Sequence, residues 1–515
     1  MSKTAKILVA VLIICILAAA GGLYASKPLM EQAVRDALHR AGSNAGVCSV
    51  DTVEVNPLTF NLKLGNLRFS DKQTFNLDMK ELSLNVSPRF VLACVPALRD
   101  TFLPASGDVT LITSAEGRDL TQRALIPGES MTCKTEAISL GSVALDAGVL
   151  KRLLNREKVP GDEVMLAIIA KKITYGPASV YEKDRKGQDK KLLTVARVSI
   201  EGVDRRNWKR LVFDDSVFDF EPEFGFTMGS LEIRDLFLPD GDWFKRFLEL
   251  TRSADAGRIS EEEFQSSLED LFLTLVRPQK DATGKQTGKP PFGSLQIKDI
   301  DVIDLPGKDA SLFHLSEMSF DWLGIAPHHF KSKLSCELPA KTFSSLVRIP
   351  GKDRLVLHLQ DENIEKTGEP GGDHYRQTGR LRLEGLADLD YAYNFFCDDP
   401  NMFDAALSDL SLDLHDHGLT AVLAYNIDPR PEAMATMMPL LGASLSKDFG
   451  DLKDAQAIQT FLNQPGTLSI RSEDPARRIP WLQFLDAAAL GRALVFTATP
   501  GEKSLVEQMK ALSAQ

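Results

Sequence analysis

The chain has 515 residues, of which 43% are hydrophobic, 25% charged and only 7% aromatic, with a formal net charge of −11. This composition is typical of a globular protein and excludes wholesale disorder and collagen-like structure. The acidic balance argues against nucleic acid as a partner, because phosphate binding needs concentrated positive charge.

The N-terminal segment predicts a membrane anchor over residues 1–26. Lys3 and Lys6 precede an apolar run over residues 7–24, which as a helix would be ~27 Å long, enough to cross a bilayer with its N-terminus inside. In a bacterium this orientation places the body in the periplasm, on a single-pass inner-membrane anchor. The alternative is a signal peptide that is cleaved near Ala20. The residues expected to face lipid are Ile7, Leu8, Val11, Leu12, Ile13, Ile14, Ile16, Leu17, Leu23 and Tyr24.

Residues 27–44 follow as a short amphipathic helix. Small and apolar side chains recur every three or four residues from Leu29 to Ala41, and Gly42 ends the pattern. Its apolar side either caps the body or lies on the membrane surface.

The next segment alternates apolar and polar residues with the period of a β-strand. Gly65 and Asn66 are typical of a turn between two such strands. Antiparallel sheets with one wet face show this pattern, so the alternating apolar residues are candidates to line an apolar groove. They are Leu58, Phe60, Leu62, Leu64, Leu67, Phe69, Phe75, Leu77, Met79, Leu82, Leu84 and Val86.

Alternation then continues down the chain and is interrupted by helical patterns. A phrase of Gly, a small or polar residue and alternating apolar residues begins at residues 229, 293, 379 and 466. We expect a β-rich region over 45–228, a second over 229–430, and a helical and β segment over 431–515. The second region carries a helical insert at 243–275, in which Ser260 and Glu263 form a capping box, and a flexible loop at 280–291.

Three shorter predictions concern the end of the chain. Residues 408–425 read as a hairpin, with alternating leucines before Gly418. Residues 431–462 show helical periodicity, which as a methionine-rich face suits either core packing or an adaptable apolar lid. Residues 503–513 predict a terminal amphipathic helix.

No residue pattern indicates catalysis, a cofactor or a metal site. His415 and His417 have a spacing compatible with two metal ligands, but no third ligand is identifiable. After export, Cys94–Cys133 and Cys336–Cys397 are possible disulfides, and the alternative is that these residues are small buried apolar side chains. The sequence therefore predicts a protein that is not an enzyme.

The segment Val53–Thr113 resembles the opening of AsmA-like proteins, the wider group that includes TamB. The resemblance is carried by Asn56-Pro57-Leu-Thr, by Gly65-Asn-Leu-Arg-Phe-Ser-Asp71, and by the strand that leads to Pro96 and Pro104. This segment makes up about an eighth of the chain. The resemblance implies inner-membrane-anchored periplasmic proteins with a long twisted sheet folded into an apolar groove, associated with lipid traffic or outer-membrane homeostasis.

The expected fold is therefore mainly β with accessory helices: an N-terminal transmembrane helix followed by an elongated, twisted antiparallel sheet that forms an apolar groove. The expected function is non-enzymatic lipid handling or outer-membrane maintenance, with the inner membrane, a phospholipid or other acyl-chain ligand, and other envelope proteins as partners. The alternative is a periplasmic scaffold with a closed β-sandwich core that recruits envelope partners.

Overall fold

The computed structural model describes residues between 31 and 514, with gaps. The longest gaps cover residues 39–46, 281–285, 305–310, 366–372, 398–404 and 481–491. The predicted anchor over residues 7–24 lies outside the described residues, and no helix among the described ones is both long and apolar enough to cross a bilayer. The mainly β fold with antiparallel pairing and few helices is confirmed.

The chain divides into two compact units, residues 1–277 with 291–293, and residues 278–290 with 294–515. The sheet of the first unit runs β1/β2–β3–β4–β5–β6/β7–β8/β9–β10–β11–β12, all antiparallel. Its strands are β1 (Val47–Ser49), β2 (Thr52–Asn56), β3 (Asn61–Ser70), β4 (Phe75–Val86), β5 (Asp108–Ile126), β6 (Glu129–Leu140), β7 (Val143–Asp146), β8 (Ile168–Tyr175), β9 (Ala178–Lys183), β10 (Asp189–Asp204), β11 (Asn207–Phe220) and β12 (Phe224–Phe237).

Most of the described helices of the first unit lie in connections between its strands, and α5 follows its last strand. They are α1 (Pro88–Ala93), α2 (Arg99–Phe102), α3 (Ala147–Leu154), α4 (Gly161–Leu166) and α5 (Glu261–Val276). Asp146 begins α3, because its carboxylate accepts the backbone N–H groups of Gly148 and Val149. The described residues 31, 32, 34–36 and 38 are also helical, in agreement with the predicted short helix.

The strands of the second unit are also antiparallel, in the order β15–β16–β17–β18–β19–β20–β21–β22–β24, and β23 also pairs with β21. The strands are β13 (Gln279–Lys280) and β14 (Gln286–Thr287), which pair with each other, β15 (Ser294–Asp304), β16 (Ser311–Ile325), β17 (His328–Pro339), β18 (Arg354–Glu365), β19 (Asp373–Leu383), β20 (Ala387–Cys397), β21 (Ala406–Asp416), β22 (Thr467–Ser472), β23 (Ile479–Pro480) and β24 (Leu494–Thr499).

The described helices in the C-terminal part of the second unit are α6 (Leu419–Ile427), α7 (Pro431–Asp448), α8 (Leu452–Asn463) and α9 (Leu505–Ser513). They confirm the helical patterns predicted over 431–462 and 503–513, the first as two helices. The capping box at Ser260 and Glu263 is also confirmed, since each side chain bonds the other's backbone N–H.

The predicted hairpin over 408–425 is wrong in its second half. The strand β21 ends at Asp416, and α6 begins three residues later. The Asp416 carboxylate accepts the backbone N–H groups of Gly418 and Thr420, which starts a helix where the alternating pattern suggested a returning strand.

The predicted turn at Gly65 and Asn66 is also wrong, because both residues lie inside β3. Asn66 has a φ of 52°, in the left-handed region. There the buried positions step from Leu64 to Leu67, whereas strict alternation would bury every second residue. A Gly-Asn pair is a turn signal in sequence, but here it shifts the side-chain phase of a continuous strand by one residue.

This shift is one point of a crease that crosses the whole first sheet. On each strand one residue lies opposite the corresponding residue of the neighbouring strand, and the residue pairs on both sides of it keep the same register. We call such a line of residues across the strands a crease. The first crease consists of Asn66, Lys80, Asp119, Glu136, Pro177, Ala196, Asp215 and Gly229. Asp119 and Asp215 have φ values of 51° and 46°, a conformation that Asn and Asp adopt more readily than most residues.

A second crease runs parallel to the first. It passes through Lys171, Gly202, Lys209 and Asp235, where Gly202 and Asp235 have φ values of 62° and 51°. On each of these strands it lies six residues from the first crease, about 20 Å along the strand. The two creases change which residues face the core without breaking the sheet.

Candidate functional site

The residues predicted to line a groove lie instead in the closed core of the first unit. Most are between 1 and 8% exposed: Leu62, Leu64, Leu67, Phe69, Leu77, Met79, Leu82, Leu84 and Val86. Phe60 is half-buried and packs against the same cluster. Leu58 and the side chain of Phe75 lie outside the described part of the chain.

Helices cover this end of the first sheet. Phe90 of α1 and Leu150 of α3 are fully buried in the cluster, which also includes Val34 and Leu38 of the N-terminal helix and Val164 of α4. The apolar side chains of β3 and β4 are thus enclosed by the protein's own helices. They are not available to a ligand in this arrangement.

The apolar rows of the first unit continue across the sheet beyond the strands that the helices cover. One row of directly paired residues, in strand order, is Leu62, Leu84, Ala115, Leu140, Ile173, Ile200, Leu211 and Ile233. This row is buried on β3 to β5 and half-buried from β6 to β12.

The second unit also presents an accessible apolar surface, on β15 to β20, which we call the open face. Direct pairs place Leu295 beside Phe320, Ile297 beside Met318, and Leu334 beside Leu359. All six side chains are half-buried, and none belongs to a hydrophobic cluster of the described residues. Among the described residues, helices pack on this face near Leu338, Leu355 and Leu383, and over β21 to β24.

The opposite surface of the same strands is charged and solvated. Glu317 is paired with Lys333, Lys331 lies 3.2 Å from Glu362, and Arg354 lies 2.9 Å from Glu337. Since neighbouring residues of a strand point to opposite sides, one side of these strands is apolar and the other is charged and solvated.

A polar network interrupts the open face at Asp361. The Asp361 carboxylate accepts hydrogen bonds from Asn363 Nδ2 at 2.6 Å, from Gln377 Nε2 at 3.0 Å and from the Tyr391 hydroxyl at 2.9 Å. The Tyr393 hydroxyl in turn donates to Gln377 Oε1 at 2.6 Å. These five residues link β18, β19 and β20; we call them the Asp361 network.

Gly379 makes the contact between Tyr391 and Asp361 possible. Tyr391 on β20 reaches Asp361 on β18 by crossing β19 at Gly379, where an added Cβ would lie 2.4 Å from the Tyr391 ring. Any side chain at this position would displace the phenol. The glycine of one Gly-initiated phrase is therefore required by a close approach in the middle of a strand, not by a turn.

The environment of the network keeps both phenols protonated. Burial raises the pKa of Tyr391, and its hydrogen bond to Asp361 raises it further. Burial also raises the pKa of Tyr393, with an additional effect of the Asp361 charge. The Tyr391 hydroxyl thus remains a hydrogen-bond donor to the Asp361 carboxylate, and the Tyr393 hydroxyl remains a donor to the Gln377 amide oxygen. Sequence inspection missed the network, and the only local signal was the alternation of Asp361 with Asn363 and of Tyr391 with Tyr393.

The other candidate residues have ordinary structural partners. His415 bonds Thr467 at 3.0 Å, and His417 lies 3.5 Å from Asp388 on the solvated side. Among the described residues no group of three or more side chains is arranged to hold a metal ion. The described cysteines form neither of the possible disulfides, Cys94–Cys133 and Cys336–Cys397.

Burial dominates the chemistry of the enclosed thiols. It raises the pKa of Cys48 to about 11 and also raises the pKa of Cys336. Both therefore stay as neutral thiols, in agreement with the reading of these residues as small apolar side chains.

Comparison with known proteins finds no counterpart. No protein-family model, no curated protein and no solved structure matches the chain. The functional interpretation therefore depends on the two faces of the sheet and on the Asp361 network.

Proposed function

We propose that this is an AsmA-like envelope protein, anchored in the bacterial inner membrane by residues 7–24, which holds lipid acyl chains along an apolar sheet face in the periplasm. The observation that carries the proposal is the open face of the second unit. The paired side chains of Ile297 and Met318, and of Leu334 and Leu359, remain half-buried, although the neighbouring pair Leu315 and Cys336 is buried.

The open face would be stabilised by an apolar ligand that covers it. Removing apolar surface from water gains about 25 cal/mol per Å², so a sheet with one apolar face must bury it against a helix, another sheet or a ligand. Helices supply that cover over β3 to β5 in the first unit. On the open face an acyl chain would supply it.

The arrangement of the rows also suits movement of the ligand. Successive strands present equivalent apolar residues at about 4.8 Å spacing, so β15 to β20 offer a track of about 24 Å. An acyl chain that slides by one strand exchanges contacts for similar ones. The proposed role is therefore lipid handling without a chemical reaction, in support of the outer membrane.

Site-specific photo-crosslinking in cells tests the proposal. A photo-reactive phenylalanine analogue replaces Met318 on the open face, and in a matched variant it replaces Ser319, the next residue, which faces the solvated side. We expect lipid adducts, identified by mass spectrometry of the full-length protein, at position 318 and not at 319. Equal labelling of both positions, or no lipid at either, would refute the proposal.

A second function, that of a scaffold for envelope proteins, is favoured by one observation. The β3 and β4 residues predicted to line the groove are enclosed within the first unit. If position 318 labels polypeptide instead of lipid, the open face is a docking surface for a protein and the scaffold function takes precedence.

A further inference from the structure

We infer that the Asp361 network recognises the amine of a lipid head group, such as ethanolamine or choline. The inference rests on the proposed function and adds a chemical preference to it. Its basis is the position of one carboxylate and two phenols on the same face as the apolar rows.

The charges of the open face favour a cation. From β15 to β19 the described side chains on this side include Asp361 and Glu365 but no lysine or arginine. The hydrogen bonds given to Asp361 come from neutral groups, two amides and one phenol. Among the described residues Asp361 forms no ion pair, so neutral dipoles surround its negative charge, and this charge would repel an anionic group and attract an amine.

The carboxylate also has bonding capacity to spare. A carboxylate offers about four lone-pair sites, and the Asp361 oxygens accept three hydrogen bonds, two at Oδ1 and one at Oδ2. The remaining site is at Oδ2. An ammonium group is a strong donor with a full charge, so its bond to a carboxylate is stronger than that of a neutral donor.

Aromatic surface lies beside the carboxylate. The rings of Tyr391 and Tyr393 are stacked, with centroids 6.1 Å apart and an interplanar angle of 25°. The negative face of a phenol ring attracts alkylammonium groups, including quaternary ones that cannot donate a hydrogen bond. The crossing over Gly379 fixes the Tyr391 ring close to Asp361. Carboxylate and rings together fit a head-group amine, while the apolar rows of β15 to β18 accommodate the acyl chain.

Comparison of head groups on identical acyl chains tests this inference. The full-length protein with the photo-reactive residue at Met318 is mixed with vesicles of dioleoyl phosphatidylethanolamine, phosphatidylcholine or phosphatidylglycerol, and crosslinked lipid is quantified by mass spectrometry. We expect about tenfold more adduct with the two amine lipids than with phosphatidylglycerol. Asp361→Asn should reduce the amine lipids to the phosphatidylglycerol level.

Glu362→Gln is the matched control, because it removes the same charge from the adjacent position on the solvated side. It should leave the preference unchanged. Equal labelling by all three lipids in the unsubstituted protein would overturn the head-group inference and leave lipid binding intact, whereas no labelling by any lipid would overturn both. Should Asp361→Asn fail to fold by circular dichroism, the comparison of lipids on the unsubstituted protein alone decides.

Discussion

In both units the strands pair antiparallel and have an apolar face, but helices cover this face to different extents in the two units. In the first unit, β3 to β5 lie beneath helices from their own connections, and Leu64 and Leu84 are almost completely buried. In the second unit the connections from β15 to β18 leave the paired residues Leu334 and Leu359 half-buried. The same alternation in sequence thus produces a core in one place and an accessible surface in the other.

The difference shows that the connections, and not the strands, decide what an apolar face does. Helices α1 and α3 follow β4 and β7 directly and fold back onto the sheet. Strand alternation alone is therefore a good predictor of which side is apolar and a poor predictor of whether that side is open. Four predictions test or sharpen the contrast.

The largest expected effect separates the two faces directly. Leu84→Ala removes a side chain that is 2% exposed and should lower the free energy of unfolding by about 3 kcal/mol, since it leaves a cavity in a closed core. Leu359→Ala on the open face should cost only about 1 kcal/mol, because solvent already reaches the side chain. Urea unfolding of both variants measures the difference, and equal losses would contradict the distinction between the faces.

The Asp361 network should be sensitive to the glycine beneath it. Gly379→Ala places a Cβ 2.4 Å from the Tyr391 ring and should cost about 2 kcal/mol of unfolding free energy by overpacking. In a Tyr391→Leu background the same substitution should cost clearly less, although the Gln360 carbonyl oxygen at 2.6 Å from the Cβ remains. Thermal unfolding of the four proteins in this cycle checks the coupling, and strict additivity would mean that the ring is not the obstacle.

The creases of the first unit should depend on left-handed backbone. Asp215 has a φ of 46°, so Asp215→Val should lower the free energy of unfolding by about 1.5 kcal/mol because a branched side chain is strained there. Asp215→Gly should be close to neutral. Chemical denaturation of both variants distinguishes them, and a valine tolerated as well as glycine would argue against the crease.

The smallest effect is a pH dependence on the polar side of the first sheet. Hydrogen bonds from Arg210 and Arg234 lower the pKa of Glu232 from 4.5 to about 2, with Arg210 the larger cause. A lowered pKa contributes stability above pH 4.5 that is lost as the pH falls toward 2. Relative to Glu232→Gln, the unsubstituted protein should be about 1 kcal/mol more stable at pH 7.

Unfolding monitored from pH 7 to pH 2 checks this prediction. The advantage of the unsubstituted protein should shrink through the acid range and vanish near pH 2. Glu201→Gln serves as a comparison, since Lys172 is the main cause of its lowered pKa. A constant difference between the Glu232 proteins across the range would show that the carboxylate charge is not responsible.

Much of the fold could be predicted from local patterns. Alternation located the β3 and β4 faces correctly, the capping box located the start of α5, and amphipathic periodicity located α9. The failures have a common physical cause. At Asn66 and at Asp416 a single residue redirects the backbone, in one case inside a strand and in the other into a helix, and sequence patterns cannot separate these outcomes from a turn.

The candidate site could not be predicted in the same way. Asp361 and Tyr391 are 30 residues apart and lie on strands that are not neighbours. Their contact depends on the register of three strands and on the absence of a side chain at Gly379. Pairing registers depend on the whole sheet, so no local sequence motif predicts such a network.

The paired creases limit how this protein can change length in evolution. At each crease the side chains of adjacent strands change sides together. One residue added to β11 between Lys209 and Asp215 would therefore turn the side chains beyond it to the opposite side, while those of the neighbouring strands kept their orientation. Adding or losing a whole hairpin at an edge leaves every existing step intact. Growth of this architecture should therefore proceed by complete hairpins, each widening the apolar surface by about two strand spacings, ~10 Å.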